Sequence, residues 1–80
     1  MLIKTKRLAA GSYLVQYHIG YGLYSGLTAT VSKIAGEWIT TLAWDGITTR
    51  FSHANKQAAI ATAKEMIEDE ARSRRQAASR

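Results

Sequence analysis

The sequence predicts an α+β fold, in which an antiparallel sheet of about five short strands carries one C-terminal α-helix packed on one face. Three neighbouring features indicate this fold. Residues 38–44 alternate between two faces, which is the period of a β-strand. Asp45-Gly46 is a strong hairpin signal, because a two-residue turn of this type needs positive φ at both central residues. Residues 59–71 then repeat apolar side chains at three- and four-residue spacing, as a helix that rests on a sheet does.

The chain begins with a predicted hairpin, in which strands 2–8 and 13–19 flank a short turn. Alternation in the second of these strands turns its tyrosine-bearing face toward the core. The length of the turn decides the register of the pair. A three-residue loop at 9–11 places Lys4 and Lys6 on the outer face, whereas a loop of two or four residues points both lysines inward. Because burial of a lysine is costly, the three-residue loop is favoured.

The next segment, residues 19–26, is rich in glycine and tyrosine. Its glycines miss the dinucleotide fingerprint G-x-G-x-x-G by one position, since Ser25 stands where the third glycine belongs, and no P-loop lysine follows. A flexible connection is therefore favoured over a phosphate cradle. Tyr21 and Tyr24 at its tip are candidate protein-interface residues, because exposed tyrosines suit an interface or stacking on bases. The alternative is that both fold back and cap an open end of the core.

Residues 27–34 form the predicted third strand, which turns at Ala35-Gly36 into the fourth. Two-residue turns here and at Asp45-Gly46 align the apolar residues of strands three, four and five on one face. The opposite, outer face is then rich in threonine. Threonine is also an ordinary residue of a solvated strand face, so the threonines alone indicate no function.

The predicted helix follows a short loop, with Asn55 as its N-cap and Ser52 as the alternative cap. Alanines in the apolar stripe allow this helix to lie close to the sheet. Two ion pairs at i,i+4 spacing are predicted on its solvent side, Glu68–Arg72 and Glu70–Arg74.

Eighty residues make one small domain, whose core is only marginally sufficient on its own. Residues 1–72 are predicted to form this domain, and residues 73–80 a basic tail that either extends the helix or frays. The sequence has no cysteine, no apolar signal-peptide region and no apolar run of membrane-spanning length. We therefore expect a cytoplasmic protein without a membrane partner.

The formal charge is +5, with 11 lysines and arginines against 6 acidic residues. A basic protein favours polyanionic partners, although many small domains carry such a charge for solubility alone. The candidate nucleic-acid-binding residues lie on the outer sheet face and near the C-terminus: Lys4, Lys6, Gln16, Thr30, Arg50, Arg72, Arg74 and Arg75.

No catalytic or metal-binding constellation stands out. His18 and His53 lie far apart in the sequence, and cysteine is absent. Glu37 and Asp45 lie at predicted turns, which accounts for their presence without a metal. Ser52-His53 has neither a nucleophile elbow nor an oxyanion hole. We therefore expect no enzyme activity, no metal, no cofactor and no small-molecule substrate.

Residues 36–67 resemble a known type of module. The pattern is G-x-W, an alternating strand, a turn, a strand ending in Phe51, and then Asn55-Lys-x-x-Ala59-Ile-x-x-Ala63. It is similar to the sheet-plus-helix arm-binding domains of phage-type tyrosine integrases and, more loosely, to plant DNA-binding domains of the same layout. The resemblance implies DNA binding through the outer face of the sheet. Those relatives carry several arginines there, whereas this face has Arg50 and two lysines. This difference implies that the protein discriminates little between DNA sequences.

Three functional hypotheses follow. The first is a small phage-type protein, located in the host cell cytoplasm if a phage encodes it, that binds nucleic acid or a host nucleoprotein complex through its basic surface. The size and charge also resemble those of phage-encoded inhibitors of host defence, including anti-CRISPR proteins. This second resemblance implies an inhibitor that acts by protein–protein contact, with Tyr21 and Tyr24 as anchors. The third hypothesis is a structural homodimer.

Overall fold

A computed structural model describes residues 3–44 and 46–79 of the chain. Five strands are followed by one helix: β1 (Ile3–Ala9), β2 (Ser12–Tyr17), β3 (Thr28–Ile34), β4 (Glu37–Trp44), β5 (Ile47–His53) and α1 (Lys56–Ala78), with a short 3-10 helix at Gly22–Tyr24. Each strand pairs antiparallel with its sequence neighbour, so the sheet order is β1-β2-β3-β4-β5. The helix packs on one face of this sheet. The predicted α+β fold is confirmed.

The second and third hairpins have the predicted two-residue turns, because Ile34 pairs with Glu37 and Trp44 pairs with Ile47. Ala35 has a φ of 51°, and Gly36 and Gly46 have φ of 83° and 75°. Positive φ is what such turns demand, since they follow the right-handed twist of the strands they join. Asp45, the other predicted turn residue, lies outside the described residues.

The first hairpin reaches the predicted register by a different turn. Lys4 lies opposite Gln16, as the three-residue loop predicts, but Ala9 pairs with Ser12 across a two-residue turn. The register shifts just before Ala9, where Leu8 is the extra residue of a bulge. The bulge adds the one residue that keeps both lysines of β1 on the outer face. Leu2, the predicted first residue of this strand, lies outside the described part of the chain.

The core lies between the sheet and α1, and the predicted tyrosine-bearing face of β2 contributes to it. Its buried members are Ile3, Val15, Tyr17, Leu27, Ala29, Val31 and Leu42 from the sheet side and Ala59, Ala63, Ile67 and Ala71 from the helix. The four helix residues recur every fourth position, which gives one straight stripe. Three of the four are alanines, so the helix backbone lies close to the strands.

The helix begins where the sequence predicts. The Asn55 side chain accepts a hydrogen bond from the Ala58 N–H at 2.8 Å, which confirms Asn55 as the N-cap. The helix continues to Ala78, so residues 73–78 extend it, while Arg80 lies outside the described residues. No helix within residues 3–44 and 46–79 has the length and apolar character needed to cross a membrane.

Thr40 joins the helix to the sheet through a buried hydrogen bond. Its hydroxyl, with 0% of the residue exposed, donates to the Ala59 carbonyl at 2.9 Å. Thr40→Val keeps the shape of the side chain and removes this donor, so we expect the free energy of unfolding to fall by about 1 kcal/mol. Urea denaturation measures the loss. Thr41→Val, on the outer face, is the control and is expected to be neutral; equal effects of the two changes would contradict this role for Thr40.

Candidate nucleic-acid interface

The outer face of the sheet, opposite α1, carries five of the eight predicted nucleic-acid-binding residues. They lie in two cross-strand rows, Lys6–Leu14–Thr30–Thr41–Arg50 and Lys4–Gln16–Thr28. Since neighbouring strands lie about 4.8 Å apart, Lys6 on β1 and Arg50 on β5 are separated by roughly 19 Å. The fold therefore brings these residues to one surface, with cations at both edges and threonines between them.

The positive charge of the chain is concentrated on the sheet and the first turn of α1. Residues 1–63 contain six cations against two acids, Glu37 and Asp45, which leaves a net charge of +4. Residues 64–80 contain five cations against four acids, which leaves a net charge of +1. The helix acids lie in the layer that covers the other face of the sheet. Of the six cations, Lys4, Lys6 and Arg50 lie on the outer face, where Glu37 is the acid among the described residues, so this face is positively charged.

Arg50 borders a shallow apolar depression on the outer face. The depression has a volume of about 380 Å³, and its lining includes Ile34, Ile39, Thr41 and Ser52. Within the described part of the chain, no hydrogen bond or ion pair engages the Arg50 guanidinium. All of its donors are therefore available to a ligand that lies over this edge of the sheet.

Arg74, predicted to contact phosphate, instead holds the glycine-rich loop against the helix. Its Nε donates to Glu70 Oε2 at 3.0 Å, and its Nη1 donates to the carbonyls of Leu23 at 3.1 Å and Ser25 at 2.8 Å. The Arg74 side chain is only 16% exposed. The structure thus places Arg74 in an intramolecular network, away from the outer face.

Arg72 and Arg75 also lie on α1, in the layer opposite the outer face. The Arg75 Nη1 donates to the Tyr17 hydroxyl at 3.1 Å. Interaction with the Tyr24 hydroxyl, and to a lesser extent with that of Tyr17, raises the pKa of Arg75, although partial desolvation acts in the opposite direction. Arg72 donates to Asp69 at 3.2 Å, in place of the predicted Glu68. Both side chains of this pair are more than half exposed, so it adds little stability.

The fold separates the two tyrosines that were predicted to act together. Tyr21 is 78% exposed, whereas Tyr24 is half-buried. The ring centroids of Tyr24 and Tyr17 are 4.8 Å apart. The 3-10 helix at Gly22–Tyr24 turns the chain back between them. Tyr21 is therefore exposed, whereas Tyr24 caps the core. Each of the two alternatives predicted for this loop thus applies to one of its two tyrosines.

A second basic surface, which the sequence analysis did not single out, lies where α1 begins. We call it the basic–aromatic end, and it consists of Arg7, Tyr13, Lys33, Trp38 and Lys56. The Tyr13 and Trp38 ring centroids are 6.2 Å apart. The Lys56 Nζ lies 5.0 Å from the Tyr13 ring centroid and donates to its hydroxyl at 3.3 Å. Within the sheet, Arg7 pairs with Tyr13, and Lys33 with Trp38.

Part of this surface was predictable, because the turn at Ala35-Gly36 places Lys33 beside Trp38. The contact between Lys56 and Tyr13 was not, since it depends on where the helix crosses the sheet. In the described ranges, no three side chains of His, Cys, Asp or Glu come together as metal ligands.

No protein-family model, curated protein or solved structure matches this chain. The proposals below therefore rest on the geometry, burial and charge of the chain itself.

Proposed function

We propose that the protein binds nucleic acid, free or within a nucleoprotein complex, through the outer face of its sheet. The distribution of charge supports this proposal: residues 1–63 carry a net charge of +4 against +1 for residues 64–80, and three of the six cations of residues 1–63 lie on the outer face. Lysine and arginine side chains that contact phosphates release condensed counterions, which drives binding. An uncovered, positively charged sheet face is a suitable surface for such contacts.

The positions of the polar residues on the outer face indicate which part of the nucleic acid each of them contacts. Lys4 and Lys6 at one edge and Arg50 at the other reach phosphates, while Gln16 and Thr30 between them hydrogen-bond to sugar or phosphate oxygens. Arginine is the side chain that most often reads guanine, through two hydrogen bonds, and this face has one arginine. Contacts to the backbone position a protein without specifying sequence, so we expect binding with little sequence preference.

The test is fluorescence anisotropy with labelled single- and double-stranded DNA and RNA, at low and near-physiological salt. The wild-type protein is expected to bind at both salt concentrations, with an affinity that falls steeply as salt rises. The triple variant Lys4→Ala/Lys6→Ala/Arg50→Ala removes three phosphate contacts. We expect it to bind more weakly to all sequences, with a salt slope lower by about 1 per removed residue, or about 3 in total.

A matched pair of variants separates a local interface from a general effect of charge. Lys4→Ala/Lys6→Ala and Lys64→Ala/Arg72→Ala each remove two positive charges, the first from the outer face and the second from α1. Only the first pair is expected to lower the affinity and the salt slope, provided that circular dichroism shows both proteins folded. Equal losses in the two pairs, or wild-type protein that fails to bind near physiological salt, would refute the outer face as the interface.

A further inference from the structure

We propose that the basic–aromatic end binds single-stranded nucleic acid, with an unpaired base against Trp38 and Tyr13 and the adjoining phosphates on Arg7, Lys33 and Lys56. This inference rests on the proposed function and extends it, because it assigns a second surface and a preferred form of the ligand. Proteins that bind single strands combine a basic groove with aromatic rings on which bases stack. This end of the sheet has both.

The aromatic side chains of the strands belong, by register, to the helix-covered side of the sheet. They are Tyr13, Tyr17, Trp38, Trp44 and Phe51, of which Phe51, on the edge strand β5, also lines the depression beside Arg50. Tyr13 and Trp38 are partly buried against the core, which holds them in place while leaving part of each ring accessible. Stacking on rings that are already held in place loses little side-chain entropy.

Among the described residues, no ion pair joins an acid to the three cations of this end. Arg7, Lys33 and Lys56 are all exposed. The first acid of α1 is Glu65, nine residues after Lys56 and therefore about 13 Å further along the helix axis. Glu37 precedes Trp38 in β4, but alternation directs it to the outer face. In the part of the chain that the structure describes, the two rings are therefore flanked by cations with no acid paired to them.

The other tryptophan has different surroundings. Trp44 borders a groove of about 220 Å³ whose lining includes Ile47, Met66 and Glu70. Among the described residues that line this groove, Glu70 is the charged one, and it is paired with Arg74. The described lining thus contributes no cation beside Trp44, which serves as an internal control.

The two basic surfaces meet at β1, where Lys6 faces outward and Arg7 faces the helix side. A ligand that contacts both has to bend around the edge of the sheet. Duplex DNA is stiff over roughly 150 base pairs, so a short duplex does not make this bend without a large deformation energy. A single strand is flexible enough to follow it. The geometry thus favours a single strand at the basic–aromatic end.

The chain has two tryptophans, so each can be made the only fluorescent reporter of its own surroundings. Trp44→Phe leaves Trp38 as the reporter, and Trp38→Phe leaves Trp44, which lies six residues or about 20 Å away along β4. Each protein, checked for folding by circular dichroism, is titrated with a 12-nucleotide oligothymidine and with a 12-base-pair duplex. The expected result is loss of Trp38 emission on addition of the single strand, with Trp44 emission unchanged.

A variant of exposed residues tests the same site without altering the rings. Arg7→Ala/Lys33→Ala/Lys56→Ala is expected to weaken single-strand binding and to lower its salt slope by about 2, since each phosphate contact to a single strand contributes roughly 0.7. Duplex binding is expected to remain as in the wild type. A triple variant that binds the oligothymidine as the wild type does would overturn the proposal.

The remaining outcomes separate this proposal from the proposed function. Duplex binding with unchanged Trp38 emission on addition of single strand overturns the basic–aromatic site and leaves the outer face supported. Equal quenching of Trp38 and Trp44, or equal quenching of Trp38 by single strand and duplex, also overturns the site. Failure of the wild-type protein to bind any nucleic acid overturns both proposals.

Discussion

Ile67→Ala is expected to lower the free energy of unfolding by about 2–5 kcal/mol, because it leaves a cavity where a fully buried side chain stood. Ile67 is 0% exposed and belongs to the stripe of α1 that packs on the sheet. A single core in a chain of this size rarely supplies more than about 3–5 kcal/mol of net stability. The substitution is therefore expected to remove most of the stability, as measured by urea denaturation followed by tryptophan fluorescence.

The chain offers a matched control for this prediction. Ile34→Ala makes the same chemical change at a residue that is 58% exposed on the outer face. Surface substitutions of this kind usually change stability by no more than about 0.5 kcal/mol. Ile67→Val, which deletes one methylene group, is expected to cost about 0.5–1.5 kcal/mol. If Ile34→Ala cost as much as Ile67→Ala, the helix would have to pack elsewhere on the sheet.

Arg74→Ala is expected to destabilise the protein by about 1.5–3 kcal/mol, the range for hydrogen bonds that involve a charged group. The substitution removes the bond to Glu70 and both bonds to the loop carbonyls of Leu23 and Ser25. The loop then loses its attachment to α1, so we expect faster amide hydrogen exchange in residues 22–27 as well as a lower midpoint of unfolding. Hydrogen-exchange mass spectrometry and urea denaturation measure the two effects.

Arg72→Ala is the matched control, because Arg72 lies two residues away in an exposed ion pair with Asp69. Such pairs contribute about 0–1 kcal/mol, and no loop depends on this one. Arg74→Lys keeps the charge but lacks the planar fork that reaches three acceptors, so we expect it to recover only part of the loss. Equal stability of Arg72→Ala and Arg74→Ala, with unchanged exchange in the loop, would contradict the structural role of Arg74.

The role of Arg74 changes how binding data are to be interpreted. Arg74 and Arg50 were both predicted from the sequence as nucleic-acid-binding residues. The structure places Arg50 on the open outer face and Arg74 within the fold. A loss of binding in Arg74→Ala would therefore report on stability first, whereas a loss in Arg50→Ala would report on the interface.

Strand registers and helix bounds were largely predictable because they depend on local rules. A two-residue turn sets the pairing of the strands on either side, and alternation then assigns every side chain to a face. This reasoning placed Lys4, Lys6 and Arg50 on one surface before the fold was known. The helix start at Asn55 followed in the same way, from the preference of a capping side chain for the first free N–H groups.

The first hairpin shows where local rules become insufficient. The predicted register of Lys4 and Gln16 is confirmed, but it arises from a two-residue turn plus the bulge at Leu8. Both arrangements add one residue between the strands, so alternation alone cannot distinguish them. In the observed turn, the Gly11 carbonyl accepts a hydrogen bond from the Lys33 N–H at 2.8 Å, a contact with β3 that the sequence of the hairpin does not contain.

Local rules do not predict the contacts that determine the roles of the arginines and tyrosines in the candidate sites. Arg74 meets Ser25 across 49 residues, Arg75 meets Tyr17 across 58, and Lys56 meets Tyr13 across 43. Periodicity states which face of a helix is apolar, but not the angle at which that face crosses the sheet. The crossing angle determines which loop the end of α1 reaches and which ring its first lysine covers. For this protein, the sequence specified the strands, the helix and the outer face, and the packing of α1 on the sheet decided which cations remain free to bind.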